Sequence, residues 1–144
     1  MEFNQTNCEI QNRLLKEAMN QVGVCCPKDA AEVWASGLVN RSAALQYAVM
    51  TEALKVEYAR QLETNAPNWV TGISSPWVSG YRTVDIKFPD TDSSTIELRF
   101  STATSTGPAG DYNAVLNIVR EDCFWRIADI SMEEGLFPYT GFHP

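Results

Sequence analysis

The hydrophobic period of this chain changes once, near Pro67, and that single change constrains its architecture more than any motif. Before it, apolar residues recur every three or four positions; after it, they alternate with polar ones. The first pattern is the stripe of an amphipathic helix, the second the face of a half-buried strand. Ile10, Leu14, Ala18 and Val22, reinforced by Leu15 and Met19, predict a helix over 8–22 that stops at Gly23. Pro27, tolerated in a first turn, opens a second helix with Asp29 and Glu32 near its positive end. That helix runs to about Leu38, with Ala30, Val33, Trp34, Gly37 and Leu38 on its buried stripe. Ser42 then caps a short helix through Met50, and Thr51 caps another to about Leu62 whose inner residues are Leu54, Tyr58 and Leu62. Asn65-Ala66-Pro67 ends the helical half.

Strands follow. Residues 69–73 (Trp-Val-Thr-Gly-Ile) predict a short one, closed by the turn formers Ser74-Ser75-Pro76. Val84, Ile86 and Phe88 alternate with Thr83, Asp85 and Lys87 in a half-buried strand, and a loop of turn formers spans 89–94. Ile96, Leu98 and Phe100 mark the next strand, Gly107 to Asp111 turns the chain, and Tyr112, Ala114, Leu116 and Ile118 mark a long one. A tight turn at Glu121-Asp122 leads into a last strand over 123–132. There Trp125, Ile127 and Asp129 share the face opposite Phe124, Ala128 and Ile130. Short connections imply an antiparallel meander. Helices first and strands afterwards is the α+β arrangement, with helices covering one face of the sheet. The aromatic residues from Gly135 to Tyr139 either fold back over an open end or form a frayed tail.

Length and composition set the outer limits. A chain of 144 residues suits one domain, and 44% hydrophobic with 20% charged residues is globular composition. A formal charge of −7 without a local basic cluster disfavours nucleic acid and anionic membrane surfaces. No stretch reaches the roughly 20 apolar residues of a membrane span. Residues 1–7 lack the basic-then-apolar pattern of a signal peptide, a point in favour of the cytoplasm. Cys8, Cys25, Cys26 and Cys123 are too few for a disulfide scaffold; they are structural or free thiols, or one bridge from Cys8 to Cys25 or Cys26. No C-x-x-C occurs and the one histidine is His143, so neither metal nor cofactor is expected.

Two helical segments carry a family resemblance. They are Ala30-Ala31-Glu32-Val33-Trp34-Ala35-Ser36-Gly37-Leu38-Val39-Asn40-Arg41 and Ala44-Leu45-Gln46-Tyr47-Ala48-Val49-Met50-Thr51-Glu52-Ala53-Leu54-Lys55. Together with Gly72-Ile73-Ser74-Ser75-Pro76-Trp77-Val78-Ser79-Gly80-Tyr81, and with the order of elements, they resemble the NTF2-like superfamily. The resemblance is to domains found in secreted or membrane-anchored Firmicutes proteins, some attached to beta-lactam-sensor-type metallopeptidases; it covers about 28–132. It implies a cone, a curved antiparallel sheet wrapped on helices around a pocket. It also implies extracytoplasmic placement and dimers through the outer face of the sheet. The chain then divides into a helical extension (1–27), the NTF2-like domain (28–134) and a tail (135–144). No H-E-x-x-H is present, so the peptidase chemistry itself is absent.

Trp34, Tyr47, Tyr58, Trp77, Tyr81 and Trp125 are candidates to line such a pocket, since aromatics combine apolar area with a polar handle. The same spacing equally serves core packing. An enzyme of isomerase or hydro-lyase type needs a carboxylate base beside a tyrosine, for which Asp129 or Asp85 with Tyr47 or Tyr58 are the candidates. Asp85 alternates with an apolar face and so points outward. His143 sits in the tail, no nucleophile has a base, and Gly107-Pro108-Ala109-Gly110 joins two strands rather than opening a helix. The expectation is a non-catalytic domain that binds a small ligand, peptide or partner protein in an extracytoplasmic sensing or accessory role.

Overall fold

The computed structural model describes residues 24–144; the helix expected over 8–22 and Cys8 lie outside them. Three helices come first, α1 (Pro27–Val39), α2 (Ala43–Ala48) and α3 (Glu52–Asn65). Four strands follow, β1 (Trp77–Asp90), β2 (Ser93–Thr104), β3 (Gly107–Glu121) and β4 (Phe124–Met132). A 3-10 turn at Glu134–Leu136 leads into a short α4 (Phe137–Thr140). The strands form one antiparallel sheet in the order β1-β2-β3-β4, the expected meander. Helices pack on one face of this curved sheet, as the α+β pattern requires. Among the described residues no helix is long and apolar enough to cross a membrane.

Local chemistry places the helices. Pro27 starts α1 and Asp29 lies in its first turn. The Ser42 hydroxyl accepts from the Leu45 N–H (3.2 Å) and the Thr51 hydroxyl from the Leu54 N–H (3.3 Å), so both expected caps form. Arg41, at φ 56°, turns the chain sharply between α1 and α2. The two helices meet at Gly37, where a Cβ would stand 2.7 Å from Gln46 Cγ and 3.0 Å from the Ser42 carbonyl oxygen.

α1 crosses the inner face of the sheet and touches all four strands. The buried inward residues of β2 (Ser94, Ile96, Leu98, Phe100, Thr102) alternate strictly, and Leu116, Ile118, Ile127 and Ile130 continue the core across β3 and β4. The core is one cluster, in which α1 contributes Ala30, Ala31, Trp34, Ala35 and Leu38.

Four strand expectations change. Residues 107–111, expected as a turn, open β3 and pair with the end of β2. Residues 69–73 form no strand: Val70 makes one isolated bridge, to Ser42, while Ala43 N–H donates to the Trp69 carbonyl and Arg41 Nε to that of Thr71 (3.0 Å). The segment is tied to the α1–α2 corner instead of the sheet. β1 is longer than expected, and Val84, Ile86 and Phe88 are exposed rather than half-buried. Register shifts between Val78 and Gly80, Thr83 and Asp85, and Lys87 and Asp90 break its alternation. In β4 the shift between Asn117 and Ile118 sets Ile127 opposite Ile118 but Asp129 opposite Asn117, so Asp129 is on the outer face.

The tail closes one end. Leu136, Tyr139 and Phe142 are buried, Asn65 Nδ2 donates to the Gly141 carbonyl (2.9 Å), and Gln61 bonds His143 through both its N–H and its carbonyl.

Gly37→Ala should destabilise the fold by about 1–3 kcal/mol, because the overpacked α1–α2 contact outweighs the gain in helix propensity. Denaturant unfolding with an unchanged m-value would show it; a more stable variant would disprove the close approach.

Candidate functional site

The aromatic candidates divide into a buried set and an exposed pair. Trp34 is fully buried and stands edge-on to Phe100, centroids 5.7 Å apart at 78°. Tyr58 is fully buried, edge-on to Phe142, and its hydroxyl donates to the Thr140 carbonyl (2.7 Å). Tyr47 packs on Trp69 at 5.1 Å, and Trp125 lies under the Arg120 guanidinium at 5.1 Å. These four are core contacts, as the packing alternative allowed. Trp77 and Tyr81 are about one-third exposed. They lie on opposite faces: Trp77 opposes Ala103 outside, whereas Tyr81 opposes Phe100 inside, with a register shift between them. The seven candidate side chains therefore do not converge on one pocket.

Asp129 is exposed, and its carboxylate accepts from the Ile130 N–H (3.0 Å). Asp85 is outward as expected, 3.6 Å from Lys87 Nζ. Among the described residues no Asp or Glu is buried. Tyr58, the most enclosed phenol, is held by burial well above its ordinary pKa, so it remains a donor and not a base. A carboxylate–tyrosine pair inside the cone has no residues to form it among those described. Nor do the described residues hold a group of three His, Cys, Asp or Glu able to bind a metal ion.

Two buried charges escaped the sequence reading, Lys55 and Arg126. Lys55 is 1% exposed, with Nζ 5.2 Å from the centroid of the Tyr47 ring. Burial first, and then the nearby Arg126 guanidinium, pull its ammonium down to about 8. Arg126 is itself buried, 3.7 Å from the Glu121 carboxylate, which also accepts from the Glu52 N–H at the start of α3 (3.3 Å). The signal was present in the spacing: Lys55 shares the helical stripe of Tyr58 and Leu62.

Two surface features remain. A groove of about 380 Å³ between α3 and the tail is lined by Glu57, Arg60, Gln61, Asn65 and His143. Arg60 and Gln61 hydrogen-bond Glu57 and hold its carboxyl down to about 2, while the His143 ring stacks on Phe137 at 3.6 Å. The second is the inner face of β1 beyond α1. Tyr81 and Ile86 lie there on the side of Phe100 and Ile96, with Val84 and Phe88 at the adjacent register shifts. All four are exposed, Phe88 at 61%. The described thiols, Cys25, Cys26 and Cys123, are free.

No known family model matches the chain, and no curated protein matches it. Solved structures that resemble it include a protein of unknown function with a cystatin-like fold from Nostoc punctiforme PCC 73102. That one is 13% identical with a TM-score of 0.46, the match covering 74% of this chain and 86% of the other. Another is a function-unknown protein of Mycobacterium tuberculosis, 17% identical with a TM-score of 0.48, covering 74% and 72%. Likeness at this level carries no functional argument.

Two outcomes are expected for the buried set. Tyr58→Phe should cost about 1–3 kcal/mol by stranding the Thr140 carbonyl, and Trp34→Ala about 3–5 kcal/mol by opening the core. The Lys55 ammonium is charged in both folded and unfolded chains below about pH 8; between there and 10.5 only the unfolded chain keeps its proton. Raising pH across that window should therefore stabilise the wild type relative to Lys55→Met, measurable as an upward shift of its melting temperature relative to the variant's. A difference independent of pH would refute the lowered value.

Proposed function

We propose that this chain is a non-catalytic binding domain whose contact surface is the inner face of β1, and that its natural occupant is a protein or peptide. One observation carries the reading. Tyr81, Ile86 and Phe88 stand exposed in a row beyond α1, contiguous with a core in which every other inward apolar strand residue is covered or half-covered. Exposed apolar area beside a well-packed interior marks an interaction site more often than an accident of folding. A small ligand within the cone is less well supported, because Trp34, Tyr47, Tyr58 and Trp125 pack against the core and against one another's neighbours there.

Part of the same proposal is an extracytoplasmic sensing or accessory role, which rests on the family resemblance alone. Fractionation of the source cells tests it: recovery from the envelope or medium is expected, and recovery with cytosolic proteins overturns it.

The contact surface is tested with an apolar dye, 8-anilinonaphthalene-1-sulfonate. The wild type should enhance its fluorescence, and Phe88→Asp with Ile86→Asp should reduce that enhancement several-fold at an unchanged melting temperature. Both residues are exposed, so the substitutions leave the core intact. Equal enhancement by the variant, or none by the wild type, would sink the reading.

A further inference from the structure

We propose that a second copy of this chain occupies the free edge of β1, by antiparallel β1–β1 pairing with Ile86 on the two-fold axis. The inference deepens the reading of β1 as the contact surface and rests on it. It begins from an asymmetry between the two edges of the sheet. The β4 edge is covered by main chain: Trp125 N–H donates to the Val24 carbonyl (3.0 Å), Ile127 N–H to Val49 (2.7 Å), and Thr51 N–H to the Ile127 carbonyl (2.9 Å). β1, 14 residues long, has β2 on one side and no strand on the other among the described residues. A long edge of this kind, with exposed apolar side chains, is a template for strand addition.

Charge identifies the strand that fits. On the outer face Arg82 lies opposite Arg99, and Asp85 opposite Glu97. Like charges directly opposed across strands are unfavourable. The β2 members of these pairs are served from the other side: Arg99 Nη1 donates to Asn113 Oδ1 (2.7 Å) and its Nε lies 3.7 Å from the Asp111 carboxylate, while Glu97 accepts from Asn113 Nδ2 (3.0 Å). Arg82 thus faces like charge across β2 and solvent at the free edge, while Asp85 faces Glu97 across β2 and has Lys87 of its own strand 3.6 Å away. With Ile86 on the axis, Asp85 of each copy opposes Lys87 of the other, and Arg82 opposes Asp90. All four charges of the strand then meet opposite charge, and Val84 meets Phe88. The alternatives centred on Asp85 or Lys87 oppose identical charges.

The backbone agrees with that centre. Register shifts between Thr83 and Asp85 and between Lys87 and Asp90 leave 85–87 as the regular stretch at this end of β1, and Ile86 is its midpoint. Pro89, which has no N–H to donate, lies outside it. The paired surface is small beside the about 1,200–2,000 Å² of stable complexes, so a monomer–dimer equilibrium in the micromolar range is expected.

Sedimentation equilibrium on the full chain over a wide concentration range tests the proposal. The wild type should self-associate. Asp85→Lys, which opposes two ammonium groups across the axis, should weaken the dimer about tenfold or more, as should Lys87→Asp. Carrying both substitutions together should restore it, since the exchanged charges again complement one another. Ile86→Cys should cross-link the dimer through thiol–disulfide exchange with oxidised glutathione, which takes up the two electrons released. A wild type monomeric at every concentration overturns the proposal, as does a dimer indifferent to the charge reversals. In the first case, Phe88-dependent dye binding would still uphold β1 as a surface for another partner.

Discussion

Trp34 set edge-on against Phe100 is the contact on which the rest of the structure turns. It joins the middle of α1 to the inner row of β2, whose neighbours Ile96 and Leu98 are sealed beneath the same helix layer. Its position is prepared locally: Pro27 starts α1, and the Gly37 approach and the Ser42 cap fold α2 back beside it. The contact also has a cost. Among the described residues Trp34 Nε1 and Gln46 Oε1 are buried without a hydrogen-bond partner, a penalty of about 1–3 kcal/mol each that the surrounding apolar burial must exceed.

Among the described residues the helices from Pro27 to Asn65 were legible to within a few residues, because caps and period are local signals. Pro27, Ser42 and Thr51 each stand where a helix begins. β2, and β3 from Tyr112 onward, were equally clear, being central strands whose alternation reflects a covered face. What failed to read were the places where a non-local partner overrides the pattern. Trp69 and Val70 look like strand residues, yet hydrogen bonds from Ala43 and Arg41 hold that segment at a helix corner. One inserted residue near Ala128 turned Asp129 from the inside to the outside, an event invisible in a period of two. The same holds for β1, where Val84, Ile86 and Phe88 alternate as though buried but are exposed.

The candidate site was less legible than the fold for a related reason. Aromatic residues at helical or strand spacing announce burial, but not whether they line a space or fill one. Trp34, Tyr47, Tyr58 and Trp125 fill it, whereas Tyr81, Ile86 and Phe88 of β1 stay exposed among the described residues. Among the described residues the two sheet edges are finished differently, one met by main-chain hydrogen bonds and the other without a neighbouring strand. That contrast, more than any individual side chain, gives the molecule a direction.

The Tyr58–Thr140 bond joins residues 82 apart in the chain. Contacts so distant in sequence form only after intervening hairpins have brought their ends together, because each must overcome a loop-closure entropy that local contacts do not. The helices can therefore nucleate early but cannot be latched until the whole meander has formed. In the reverse direction, release of the segment from Leu136 to Phe142 lays bare the inner side of α3 while the sheet is still intact. Opening of this protein is thus expected to be graded, with the clasp yielding before the strands, and slow amide exchange concentrated in β2 and β3.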